Sequence, residues 1–416
     1  MLIIRCIAFC GLLAASQHAL AQYVSAEELS QFTPLEREKW IEEEKPLKLR
    51  VLGGFTYDSN VFRLSDDALS RSSLSKEDLI YRLGGGARYE ARESRQRFVV
   101  EANVAENLYQ NDSNLNNTSD DARGEWLWQA GHDWNGNLGV GQRRYLENFA
   151  NFQQNVRDMV NQNRIFGSAN YLLYSRLRLS LNSIYSDTQH GEETRNVLDS
   201  KIASNAFTVN WVTPALNTVG LQYRTTSARY PNEEIVAATS VENAYHENEY
   251  SVVTHWELSG VSDLNARVGY TERKFDQLPN RNFSAPTWRL GYVWQPSGKT
   301  TLEIATWREI ASFEDLTSNY VQATGVSIVP TWSITQQIAL RGKVSYEARS
   351  YVGDPGIIPV AERREDKDRI YQFSVLWTPQ RLTELALTVE SGRRTSNQAF
   401  AEYTYESVSF VATHYF

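Results

Sequence analysis

The chain has 416 residues and a formal net charge of −8, and it carries 22 Tyr, 11 Trp and 16 Phe against 2 Met. No apolar run approaches the ~20 residues of a transmembrane helix, and the acidic balance gives no field for binding nucleic acid. The length allows several ordinary domains or one large all-β barrel, so the residue pattern has to choose.

The first 21 residues read as a secretory signal peptide. Arg5 is followed by an apolar core from Ile7 to Ala15 and by Ala19-Leu20-Ala21 as a small-residue cleavage site, so the mature chain is expected to start at Gln22. Cys6 and Cys10 both lie in this segment, which would leave the mature protein without thiol or disulfide chemistry. Residues 22–46 are acidic, and Thr33-Pro34-Leu35-Glu36 has the order of a helix start: cap, first-turn proline, acid. A short, partly helical periplasmic lead-in is expected here.

From residue 47 onward the apolar period becomes two. In LKLRVLGGFTYD, Leu47, Leu49, Val51, Phe55 and Tyr57 share one face, while Lys48, Arg50, Thr56 and Asp58 share the other. The same alternation predicts strands near 47–59, 79–92, 96–109, 122–134, 136–149, 164–175, 177–189, 201–213, 216–229, 246–257, 261–275, 285–295, 299–312, 320–333, 337–352, 367–378, 381–395 and 404–416. Asn135-Gly136 reads as a two-residue hairpin turn, and Pro214, Pro296 and Pro379 stand where strands stop. Long polar connections fall on the other side of each hairpin: Gln110 to Asp121, Arg229 to Asn248 and Val352 to Asp368. Short turns at one end and long loops at the other are the asymmetry of an outer-membrane barrel.

No long helical pattern covers the apolar face, so that face is expected to meet lipid. Unpaired backbone cannot lie in hydrocarbon, so the sheet must close on itself. The prediction is an all-β, antiparallel, up-and-down transmembrane barrel over 47–416, of about eighteen strands, within one hairpin either way. An even count puts both ends of the barrel on the periplasmic side, with outer-membrane lipid as its surroundings. Trp211, Trp256, Trp294, Trp332 and Trp377 end strands just before turns, and would form a periplasmic aromatic girdle.

The inward face is predicted to be basic. Lys48, Arg50, Arg82, Arg88, Arg97, Arg178, Arg224, Arg267, Arg273, Arg289, Arg341, Lys343, Arg349 and Arg394 face Glu90, Glu101, Glu347, Glu384 and Glu390. Guanidinium groups suit anionic or hydroxylated solutes; the same residues can also brace the wall as cross-strand Arg-Glu pairs. Catalysis finds no support: His132, His190, His246, His255 and His414 share no spacing with a nucleophile, and neither a zinc motif nor a phosphate loop occurs. No cofactor or metal is implied.

The stretch GGFTYDSNVFRLSDDA, Gly53 to Ala68, resembles the start of the EpsL-type exosortase-associated exopolysaccharide outer-membrane proteins, most closely at Tyr57-Asp58-Ser59-Asn60-Val61-Phe62. A similar Tyr-Asp-Ser-Asn opens related porin-like barrels. The resemblance implies a role in exopolysaccharide biosynthesis or export as the conduit across the outer membrane, beside a periplasmic and inner-membrane synthesis apparatus. The alternative is a general or anion-selective diffusion porin. The chain ends SVSFVATHYF, with Phe410 and Phe416 on the lipid face. That ending resembles the signal recognised by the barrel-assembly machinery, and the last strand is expected to pair with the first.

Overall fold

The computed structural model describes residues 45–66, 75–150, 153, 155–232, 234–236, 239–241, 243–311, 320–353, 362–398 and 400–416. The expected signal peptide and nearly all of the lead-in, including its helix start, lie outside the described residues.

The first half of the chain forms β1 (Leu47–Asp58), β2 (Asp78–Glu93), β3 (Gln96–Tyr109), β4 (Asn117–Ala130), β5 (Trp134–Leu146), β6 (Met159–Tyr174), β7 (Leu177–Gln189), β8 (Ser200–Val212) and β9 (Thr218–Arg229). Two short strands, β10 (Glu234–Val236) and β11 (Thr239–Val241), pair with each other in a connection. The second half forms β12 (Tyr245–Ser259), β13 (Ser262–Phe275), β14 (Phe283–Ser297), β15 (Thr300–Ala311) and β16 (Tyr320–Ser333). It ends with β17 (Ile338–Val352), β18 (Glu365–Gln380), β19 (Thr383–Ser396) and β20 (Tyr403–Tyr415).

Apart from β10 and β11, these strands make one 18-stranded antiparallel sheet in which each strand pairs with its neighbours in sequence. The last strand returns to the first: β20 pairs with β1 from Arg50↔Tyr415 to Asp58↔Ser407, and the Phe416 N–H donates to the Leu49 carbonyl at 2.9 Å. No edge strand is left, which is what a sheet in hydrocarbon requires. Gly54 lets the seam close, because a Cβ there would collide with the Phe410 carbonyl.

Each predicted strand has its counterpart, with three local differences. The turn between β4 and β5 is Gly131-His132-Asp133, where Gly131 adopts a left-handed φ of 65°. Asn135 and Gly136 instead lie inside β5, and a Cβ on Gly136 would lie 2.6 Å from the Trp128 ring, so this glycine serves close packing rather than a turn. Second, β4 begins at Asn117, within a stretch read as loop, because Asn107, Asn117 and Ser119 extend the ladder as hydrogen-bonded polar residues beyond the apolar band. Third, Pro296 and Pro379 sit in the last residues of β14 and β18, at register shifts after Trp294 and Trp377, where the ladder needs no amide donor.

The two faces differ as the alternation requires. Leu47, Leu49, Val51, Phe55, Leu83, Val104, Leu221, Tyr250 and Phe373 are exposed on the outside, while Lys48, Arg88, Glu249, Thr271, Glu347 and Arg394 are buried on the inside. This inverts a soluble protein, whose exposed surface is polar. The outer face is satisfied only by hydrocarbon.

Candidate functional site: the lumen and its inner loops

Every predicted lumen cation lies on the inner face, but most are held by carboxylates. On one side of the barrel a ladder crosses β9, β12, β13, β14 and β15. Arg224 bonds Glu249; Arg267 lies 3.5 Å from Glu249 and 2.9 Å from Glu309; Arg289 donates from Nε to Glu309 at 2.9 Å. Three guanidinium groups thus share two carboxylates, and Arg289 is the most exposed of the three. Nearer the long-loop end, Arg273 makes a two-pronged bond to Glu247 and lies 3.9 Å over the Tyr245 ring.

A second network occupies β15 to β20. Arg394 grips Asp368 at 2.8 and 3.1 Å, Arg349 bonds Glu347 at 2.9 Å and approaches Asp368 at 3.8 Å, and the Trp307 indole N–H donates to Glu347 at 2.9 Å. The rings of Trp307 and Tyr405 fit because Gly325 and Gly392 stand beneath them; a Cβ at either position would collide with the ring.

A third network covers β1 to β4. Arg88 bonds Glu101 at 2.8 Å, and Arg97 bonds Glu90 at 2.8 Å. Arg50 reaches across Gly86 to Asn103 at 2.8 Å, and Asn103 passes a hydrogen bond on to Asp121 at 3.0 Å.

Of the remaining predicted cations, Arg341 comes within 4.0 Å of Glu303, and Lys343 also faces inward, next to it on β17. Arg82 and Arg178 make no hydrogen bond or ion pair among the described residues.

The expected excess of inward cations over acids is therefore reduced. Asp121, Glu125, Glu247, Glu249, Asp263, Glu303, Glu309 and Asp368 also face inward and offset much of the arginine, with further inward cations at Arg123, Arg143 and Arg164. Their parity could have been read from the strand bounds, but several lie near strand ends, where a one-residue shift of register reverses the face. Inward aromatics were missed too: Trp307, Tyr403, Tyr405 and Tyr415 are all buried on the lumen side.

The long loops do not simply stand out in solvent. Val61, Phe62 and Leu64 after β1, Leu115 between β3 and β4, and Phe149 after β5 form one buried apolar cluster, with the Phe62 and Phe149 rings edge to face at 4.9 Å. The same β5–β6 connection carries Ala150 onto the inner face of β20, against Tyr403 and Tyr405, and Arg394 donates to the Ala150 carbonyl at 2.7 Å. Between β5 and β20 lie β1 to β4, so this connection spans a sector of the mouth and is pinned on the far side of it.

Residues 58–64 anchor this arrangement. Asp58 accepts from the Asn60 amide at 2.8 Å and from both Nη atoms of Arg63 at 2.8 and 2.9 Å. The buried Asn60 side chain accepts from the Leu64 amide and donates to the Leu64 and Thr404 carbonyls. On the opposite side of the mouth, Ile202, Ala228, Tyr245 and Phe275 pack with Tyr230, Leu278 and Phe283, and buried Arg281 donates to Asn243 at 2.6 Å.

Trp211, Trp294, Trp332 and Trp377 are exposed on the outer face near the short turns, and Trp256, on the same outer face, is half-buried. Trp134 extends this belt by stacking on Tyr171 at 4.4 Å. Phe410 is half-buried beside Phe55 across the seam, and Phe416 is exposed with its ring edge-on to His414.

A closed barrel with a lipid-type exterior and a charged interior is a porin-like outer-membrane barrel. Comparison with known proteins agrees: a family profile described as "Putative beta-barrel porin 2" matches residues 255–414. The crystal structure of OccAB3 from Acinetobacter baumannii superposes with a TM-score of 0.50 at 9% identity, covering 89% of this chain and 99% of that one. OpdK from Pseudomonas aeruginosa, solved with vanillate, gives a TM-score of 0.48 at 10% identity, over 91% of this chain and 99% of that one. At 9% identity the likeness to OccAB3 is one of fold alone. No curated protein matches the chain.

Proposed function

We propose that this barrel is a passive diffusion channel for small hydrophilic solutes, with a preference for anions. The observation that carries the reading is the pinned inner loop: Arg394 on β19 holds Ala150 of the β5–β6 connection, and loop side chains from the ends of β1, β3 and β5 pack into a cluster beside it. A conduit for a growing polymer needs an open bore. A selective channel needs a narrowed one, in which wall charges act at short range through a low dielectric. The ladder of Arg224, Arg267 and Arg289 on Glu249 and Glu309 adds a net positive charge on the facing wall, across β9 and β12 to β15.

The exopolysaccharide reading rests on the resemblance at Gly53 to Ala68. In the structure the described part of this stretch, residues 53–66, ends β1 and builds the loop that anchors the mouth, a task that a channel of either kind could use. Purified barrel in a planar bilayer under a KCl gradient is expected to show stepwise, ohmic conductance with a reversal potential favouring chloride. Cation selectivity, or no conductance at all, would refute the proposal. Loss of surface polysaccharide on deleting the gene, with conductance absent, would favour the conduit.

A further inference from the structure

Arg369 on β18 and Arg393 on β19 are direct cross-strand partners, and both point outward and are exposed. Lys367, also exposed, stands one outward position further up β18. Like charges facing each other across a ladder are destabilising, and among the described residues none of the three makes an ion pair or hydrogen bond. The flanking outward positions are Tyr346, Tyr371, Ser391 and Thr404; the nearby acids are Glu406, opposite Ser391, and Glu365, above Lys367. Neither acid lies within ion-pair distance of the three cations.

Their height on the barrel gives the pair a purpose. Below Arg369 the outward residues of β18 are Tyr371, Phe373, Val375 and Trp377, and below Arg393 those of β19 are Ser391, Val389, Leu387 and Leu385. Trp377 pairs with Leu385 at the short-turn end, so both arginines lie at the same level. Eight residues at ~3.4 Å each, tilted by about 40°, rise roughly 20 Å, close to the height of a barrel's apolar band of about 25 Å. The arginines therefore emerge at the boundary on the long-loop side, where hydrocarbon gives way to headgroups.

We propose that Arg369 and Arg393, with Lys367, form a docking site for the phosphate groups of an outer-leaflet glycolipid of the lipid A type. Two guanidinium forks side by side present donors to one phosphate, Tyr346 and Tyr371 flank its sugar, and the acyl chains lie along Phe373 and Val389. This is independent of what the channel conducts and requires only that the barrel sits in the outer membrane with its long loops outward.

The test uses refolded full-length barrel in detergent, titrated with bis-phosphorylated lipid A, with dephosphorylated lipid A and with inorganic phosphate, with bound lipid counted by native mass spectrometry. The barrel should retain bis-phosphorylated lipid A selectively. The R369Q/R393Q double variant should bind it on the order of twentyfold more weakly, at about fivefold per cation removed. K274Q, which removes an outward cation already paired with Glu272, should bind as the parent does. Heat-modified mobility on a gel verifies that each variant is folded. Equal binding of phosphorylated and dephosphorylated lipid, equal binding by parent and double variant, or competition by inorganic phosphate at equal concentration would each overturn the assignment.

Discussion

Replacing Arg394 by alanine tests the pinned loop directly. In the parent, this buried guanidinium holds Asp368 through two bonds at 2.8 and 3.1 Å and donates its remaining Nη1 to the Ala150 carbonyl at 2.7 Å. Asp368 keeps Arg349 at 3.8 Å, so the variant does not strand the carboxylate, and the global cost should stay below the ~3–5 kcal/mol of a fully orphaned buried charge. The lost bond to Ala150 is charge-assisted and contributes about 1.5–3 kcal/mol to holding the loop, which shifts the pinned-to-released ratio roughly 10- to 150-fold. Single-channel recordings of R394A should show larger mean conductance and more flicker than the parent, while heat-modified mobility still reports a closed barrel. R394K keeps the charge but cannot serve both partners, and should fall between the two. Parent-like conductance and noise in folded R394A would refute the idea that this contact sets the bore.

Further outcomes follow from other contacts. E309Q removes one of the two carboxylates shared by the arginine ladder; a unit charge acting over ~10 Å through an effective dielectric of ~40 is worth about 0.8 kcal/mol, favourable to chloride and unfavourable to potassium, so the chloride-to-potassium permeability ratio should rise roughly fifteenfold in a salt-gradient measurement. N60A deletes three hydrogen bonds of a buried side chain, at about 1 kcal/mol each, and should raise hydrogen exchange at residues 59–64 without unpairing β1 from β20. Asp112, in the β3–β4 connection, has its carboxyl pKa raised by burial and then by Asp78. An acid raised in the folded state adds stability while protonated, and that contribution is lost as pH climbs from the ordinary aspartate range, about 4, through the raised value. Protection of residues 110–116 from exchange should accordingly fall over that window in the parent, and D112N, which keeps an acceptor for Asn155, should flatten the fall.

The fold could be read from the chain because a membrane barrel writes its geometry in a local code. Alternation such as Tyr371, Phe373, Val375, Trp377 fixes which way each side chain points, and the missing cover for the apolar face forces closure. The faces of Arg267 and Arg394 were legible in the same way. What each arginine binds was not, because Glu249, Glu309 and Asp368 sit on neighbouring strands at heights set by register and shear, which no local pattern records. Asn135-Gly136 misled for a related reason: the glycine answers to Trp128 across the ladder, not to its own backbone.

By itself, then, the sequence determined an eighteen-stranded wall, the orientation of its faces and the strand that seals it, since those follow from period, turn chemistry and the solvent on each side. Only the tertiary structure decided that residues 61, 62, 64, 115 and 149 pack together at the mouth and that Arg394 ties the adjoining Ala150 to β19. Those contacts join positions up to 244 residues apart, and their energy arises only once the sheet has closed around them.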